Sequence, residues 1–224
     1  MYVRSPCLER LARTAFAATL VLAVLCPSLA AGDSPSSPFP GLDLVPSKNV
    51  GTLYRRPDAD LSTYNKILIG EPAVEFSKNW NPRNYGTFGL SAAQLTKIRV
   101  DLAAMAKSVF SKTLGDGGYE IVTEAADGVL AITPNIVNVF INAPDVQKPG
   151  RSRTYTMDAG SATLALLVND AVTGTMLAAV FDQRRGGPST MQWTTSVSNR
   201  AAAEQMLKGW AEQLKRELDG ARAK

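Results

Sequence analysis

SATLALLVNDAVTGTMLAAVFDQRR, residues 161–185, consists of two runs of alternating apolar and small residues on either side of Asp170-Ala-Val-Thr-Gly174. Alternation with a period of two is the pattern of a strand that buries one face. A short polar break containing glycine supplies the positive φ that a tight connection needs. The segment reads as an antiparallel hairpin, Ser161 to Asn169 and Thr175 to Arg184. Its strands pair with their sequence neighbours, so the fold it belongs to contains an antiparallel sheet.

Outward from the hairpin, the chain supplies more strands and two helices. Gly128 to Asn142 is long and β-branched, with Pro134 marking an expected bulge. Tyr119 to Thr123 is a shorter strand of the same type. Lys66 to Phe76 reads as the first strand, with Pro72 placing it at an edge or a bulge. Between these lies Ser91 to Leu114, a helix with its own start and stop signals. Ser91 with Gln94 makes a capping box, Leu90 with Leu95 a hydrophobic staple, and Gly115 the expected stop. Leu95, Ile98, Leu102, Met105 and Val109 form its expected buried stripe. Asn199 to Asp219 is the last helix, with Leu207 or Met206, Trp210, Leu214 and Leu218 inward and Gly220 as its end. Glu204 with Lys208 and Glu212 with Arg216 have the spacing of outward ion pairs. The order is β-α-β-β-β-β-α. The expected fold is α+β and two-layered, a mostly antiparallel sheet of about five strands with two helices on one face.

The N-terminal region has a different character. Residues 1–13 carry Arg4, Arg10 and Arg13, and TAFAATLVLAVLC, residues 14–26, has no charge. A basic segment, a short apolar segment and small residues beyond it form the pattern of a secretory signal peptide. The apolar run is shorter than the roughly 20 residues a spanning helix needs, and no such run follows it. Cleavage after Ala30 is expected, because Ser28-Leu29-Ala30 places small residues where the peptidase requires them. Lipidation at Cys26 is disfavoured, because Leu25 is bulky at the position before the cysteine. Residues 31–59 are expected to be a linker and extended arm, since half of residues 31–50 are Gly, Ser or Pro. A single domain is then expected over residues 60–224.

Several chemistries are excluded by composition. The chain has no histidine, and its two cysteines, Cys7 and Cys26, lie in the leader. After cleavage no disulfide, no Cys/His zinc site and no triad of the Ser-His-Asp or Cys-His kind can form. The Ser-x-x-Lys, G-x-S-x-G and phosphate-binding glycine-loop patterns are absent. Asp58-Ala-Asp60-Leu-Ser62 begins like a calcium loop but has Thr63 and Ile69 where glycine and glutamate are needed. Neither a metal nor a cofactor is expected. The leader removes three arginines and one glutamate, so the remainder of the chain is only slightly basic and nucleic-acid binding is not expected.

LYRRPDADLSTYNKILIGEPAVEF (residues 53–76), NDAVTGTMLAAVFDQRRGG (169–187) and GWAEQLKREL (209–218) together resemble the bacterial domain-of-unknown-function family 3313. The resemblance lies in a Tyr before an aliphatic strand, an Asp-x-x-Thr-Gly turn, an Asp-x-Arg segment and a Trp-Ala helix. It implies an envelope protein, typically a lipoprotein, and carries no assigned activity.

Two surfaces are candidates for partner binding. Trp80, Arg83 and Tyr85 lie on a long loop and are of the residue types that concentrate binding energy at interfaces. Lys148, Arg151 and Arg153 lie on a polar loop suited to an anionic envelope polymer or lipid. No catalytic residue is assigned. The expected function is a non-enzymatic, exported envelope domain that binds or supports another envelope protein. Two alternatives stay open: a carboxylate-based hydrolase of envelope material, and a structural surface lipoprotein tethered through Cys26.

Overall fold

The strands β1 (Asp43–Val45), β2 (Thr52–Arg55), β3 (Lys66–Ile69) and β4 (Val74–Phe76) precede helix α1 (Ala92–Asp116). After it come β5 (Glu120–Val122), β6 (Val129–Ile141), β7 (Tyr155–Thr156), β8 (Gly160–Asp170), β9 (Met176–Gly186), β10 (Gln192–Trp193) and helix α2 (Ser196–Arg222). The computed structural model describes residues 37–84, 89–141, 155–156, 160–186, 192–193 and 196–222.

The main sheet has eight strands in the order β1-β2-β9-β8-β6-β3-β5, with β4 also paired to β6. The expected hairpin is present and continuous from Gly160↔Gly186 to Val168↔Ala178, with a register shift before Asn169. Its turn is built by Asp170, whose Oδ1 accepts from the backbone N–H groups of Val172 and Thr173 at 3.1 and 2.7 Å. Gly174 closes the turn at φ +69° in open space.

The sheet is larger and more mixed than the expected five antiparallel strands, for three reasons. β1 and β2 lie inside the segment that composition marks as linker and arm. β2 pairs with β9, Tyr54 opposite Ala179, so the compact unit begins at Ser37 rather than at residue 60. The segment from Lys66 to Phe76 divides at Gly70–Ala73 into β3 and β4. Both halves run parallel to β6, and β5 runs parallel to β3.

Pro134 does not make a bulge. Ile132 and Ile136 bond toward this flank through Gly70 and Ala73. By the alternation of a strand, the Pro134 nitrogen faces the same flank of β6, toward β3 and β4, where the break at Gly70–Ala73 presents no strand residue that needs an N–H from it. The register shift in β6 falls at Asn138 instead, between Val137 and Phe140, with φ +53°.

Both helices pack into one core with the inward residues of the sheet. Ile67, Ile69, Leu130, Ile132, Ile136, Leu164, Leu166, Val168 and Val180 meet Phe110 and Leu114 of α1 and Leu207, Trp210, Leu214 and Leu218 of α2. On α1 the fully buried residues are Ala106, Phe110 and Leu114. Of the expected stripe, Leu102, Met105 and Val109 sit half-buried beside that line and Leu95 and Ile98 are only partly buried outside the core. The capping box at Ser91 and Gln94 forms as expected, but the helix continues through Gly115 and is capped by Gly117. α2 likewise runs past Gly220, and Lys208 pairs with Glu212 rather than with Glu204. On the opposite face of the sheet, Phe39 stacks on Phe181 at 5.6 Å and meets Tyr54 edge-on at 5.4 Å, so the segment before β1 covers part of that face.

Candidate functional site

Among the polar contacts of the described residues that join positions distant in sequence, three involve an aromatic donor and a carboxylate. The first is Tyr64 Oη, which donates to Asp170 Oδ2 at 2.9 Å. Turn bonds from Thr173, followed by the bond from Tyr64, hold the Asp170 carboxyl below the usual carboxylate range. Burial, followed by the Asp170 contact, pushes the Tyr64 phenol up. The second is Tyr119 Oη, which donates to Asp219 Oδ1 at 3.0 Å, with Arg222 5.1 Å from the Tyr119 ring centroid. The Lys215 ammonium, which donates to Asp219 Oδ2 at 2.5 Å, is the main cause of a lowered Asp219 carboxyl.

The third contact is the most elaborate. Asp182, inside β9, accepts at Oδ2 from Trp210 Nε1 and from Arg184 Nε, each at 2.8 Å, and at Oδ1 from the Gly51 backbone at 3.0 Å. Arg184 Nη2 donates to Gln213 Oε1, and its guanidinium carbon lies 5.6 Å from the Trp210 ring centroid. The Asp182 and Arg184 side chains are 14% and 30% exposed, and Trp210 is 1% exposed. A buried polar side chain must have partners to offset its lost hydration, and here Gln213 and Asp182 have them. The Asp-x-Arg segment and the Trp-Ala helix, separate motifs in the sequence, therefore form one unit.

Arg184 of this unit also lines a groove of about 510 Å³, with Arg185, Gln205, Met206, Lys208, Gly209, Ala202 and Glu212. Gly209 lies within α2. A Cβ there would stand 2.6 Å from Arg184 Nη1. Glycine costs about 1 kcal/mol relative to alanine inside a helix, and at this position it leaves room for the guanidinium. Arg184, Arg185 and Lys208 face the single acid Glu212, which Lys208 meets at 3.8 Å. What this arrangement offers chemically is a held guanidinium beside the exposed positive charges of Arg185 and Lys208.

The residues singled out from sequence fare differently. Trp80 is 6% exposed, stacks on Phe76 at 4.6 Å and donates from Nε1 to the Ile141 carbonyl at 2.9 Å. The Arg99 guanidinium also lies over the Phe76 ring, 5.0 Å from its centroid. The expectation of an exposed Trp80 is therefore corrected, because the ring is a packing residue at the end of the sheet. Arg83 is exposed in a short turn, Pro82–Asn84, and is not brought together with the groove lining. Tyr85, Lys148, Arg151, Arg153 and Cys26 lie outside the described residues. The groove itself was not anticipated. The available signal was a glycine in the middle of a helix of otherwise strong helix formers.

Among the described residues no group of three or more Cys, Asp or Glu side chains is placed to hold a metal ion. No helix among them is long and apolar enough to cross a membrane.

The profile of the family described as Protein of unknown function (DUF3313) matches residues 41–214. The chain belongs to this family. The match begins at Gly41, just ahead of β1, in agreement with the placement of β1 and β2 in the sheet. No curated protein matches the sequence. Among solved structures, the chain is similar to a PelC dodecamer from Paraburkholderia phytofirmans, at 13% identity and a TM-score of 0.34, covering 70% of this chain and 95% of that one. It is also similar to a minor lipoprotein from Acinetobacter baumannii, at 11% identity and a TM-score of 0.34, covering 71% and 95%. A third is a putative neuraminyllactose-binding hemagglutinin homolog from Helicobacter pylori, at 12% identity and a TM-score of 0.38, covering 74% and 90%. At these scores the likenesses carry no functional argument.

Proposed function

We propose that this protein is an exported, non-enzymatic domain of the bacterial envelope that binds another envelope component through the groove between β9 and α2. The observation that carries the binding role is the Asp182–Arg184–Gln213–Trp210 unit, which holds a guanidinium in one place at the groove wall. A donor that is already ordered loses less entropy when a ligand arrives. Export is supported by the leader over residues 1–30 and by the envelope association that the family resemblance implies.

Three carboxyls outside the groove are poorly placed to act as a hydrolytic general acid. A hydrolytic general acid needs a carboxyl held above its ordinary value. Asp60, Asp170 and Asp219 are all held below it by hydrogen bonds.

The test is crosslinking in living cells from a photoreactive residue placed at Gln205, in the groove, or at Val100, exposed on α1. An adduct to an envelope component from position 205 but not from position 100 is expected. Equal adducts from both positions, or none from 205, would contradict a binding groove. Turnover of ester, phosphate or glycoside substrates that vanishes on changing one carboxylate would establish the hydrolase instead.

A further inference from the structure

The geometry points to a phosphate group, free or as a monoester on a larger envelope molecule, as the chemistry that the β9–α2 groove recognises. This inference rests on the groove being the binding surface and names what occupies it. Three cations, Arg184, Arg185 and Lys208, line the groove with Glu212, and Asp182 pairs with Arg184 from behind, so cations still outnumber carboxylates there. A phosphate monoester carries nearly two charges and three acceptor oxygens, whereas a carboxylate carries one charge and two oxygens. With its third oxygen and larger charge, the phosphate makes fuller use of the donors of Arg184, Arg185 and Lys208.

Arg184 is prepared for this task. Asp182 takes its Nε edge and Gln213 one Nη2 proton, leaving the remaining guanidinium N–H groups for a ligand. Trp210 supports the flat face of the guanidinium, and the missing Cβ at Gly209 lets Nη1 lie against the helix. Asp182 takes bonds from Gly51 and Trp210 as well, so its charge is shared among donors rather than spent on Arg184 alone. Such planar, held guanidinium groups recognise phosphate with directed pairs of bonds. Lys208 and Arg185 supply charge that can move toward the ligand. The Lys208–Glu212 contact is long, at 3.8 Å, and both side chains are exposed, at 65% and 48%. A pair of that kind contributes little and yields readily to an incoming anion.

The experiment is an amide-shift NMR titration of the protein in the form that accumulates in the cell. Inorganic phosphate, glycerol 3-phosphate and acetate serve as probes at matched ionic strength. Phosphate and glycerol phosphate are expected to shift residues 184–185, 205, 208–209 and 212 saturably, with acetate leaving them unmoved. Lys208→Gln should weaken phosphate binding by about tenfold, the value of one charged hydrogen bond. Lys97→Gln, which removes a similarly exposed, ion-paired lysine from α1, should leave it unchanged. Tighter binding of glycerol phosphate than of inorganic phosphate assigns the ligand to an ester, and equal binding assigns it to the free ion. Acetate acting like phosphate, shifts spread over all basic surfaces, or equal losses in both lysine variants would overturn the proposal. If crosslinking from Gln205 persists while phosphate does not bind, the groove binds a partner of other chemistry and only the phosphate assignment falls.

Discussion

Tyr64 Oη donates a 2.9 Å hydrogen bond to Asp170 Oδ2, joining the residue two before β3 to the β8–β9 turn across 106 positions of sequence. The Asp182–Trp210 bond does the same between β9 and α2 across 28 positions. The motifs that mark the chain as a family member thus meet in pairs. In each pair a carboxylate in or beside the hairpin accepts from an aromatic donor on a distant element.

Tyr64→Phe removes the donor while keeping the ring. Loss of one such bond should lower the melting temperature by about 2–4 °C. Differential scanning calorimetry checks this, and an unchanged Tm would mean that water replaces the phenol without cost.

Trp80→Ala should destabilise the fold by about 3 kcal/mol, because the ring is buried against Phe76 and its N–H satisfies the Ile141 carbonyl. Urea denaturation measures it. An unchanged midpoint would return Trp80 to the surface role that the sequence pointed to.

Gly209→Ala sets two effects against each other. Alanine favours the helix by about 1 kcal/mol. Its Cβ would also push Arg184 away from Gln213, whose buried Oε1 would lose its partner, a cost of about 1–3 kcal/mol. The second effect wins, so the variant should be less stable than the parent and should bind phosphate more weakly. A variant stabilised by the full helix gain would show that the guanidinium is not held in place.

The two tyrosine–aspartate contacts predict losses of stability at opposite ends of the pH scale. Asp170 and Asp219 have lowered folded-state values. Their contribution is present above the unfolded value of about 3.9 and is lost as pH falls through the folded values. Tyr64 and Tyr119 are raised, in both cases chiefly by burial. Their contribution is complete below the unfolded value of about 10 and is lost as pH rises through the folded values. Melting temperatures from pH 2 to 12 should fall at both ends. The Asp170→Asn variant should show a smaller acid loss than the parent.

The hairpin and the α1 cap were legible in the sequence because they are encoded locally. Asp170 and Gly174 build one turn, and Ser91 and Gln94 one cap, within a few residues of each other. β1 and β2 were not legible. They are three and four residues long, sit among prolines and serines, and exist because β9 offers them an edge. Trp80 was misplaced because Asn, Gly and Pro around it signal an exposed loop, while the Ile141 carbonyl that receives its N–H lies 61 residues further along the chain. The groove was hidden for the same reason: Arg184 and Gln213 come together only when α2 docks on the sheet.

Export underlies every binding proposal above, and the intact mass of the protein from membrane and periplasmic fractions tests it most directly. A periplasmic species beginning at Ala31 is predicted. A cytoplasmic species retaining residues 1–30 would contradict export. An acylated species beginning at Cys26 would keep the domain in the envelope but contradict cleavage after Ala30.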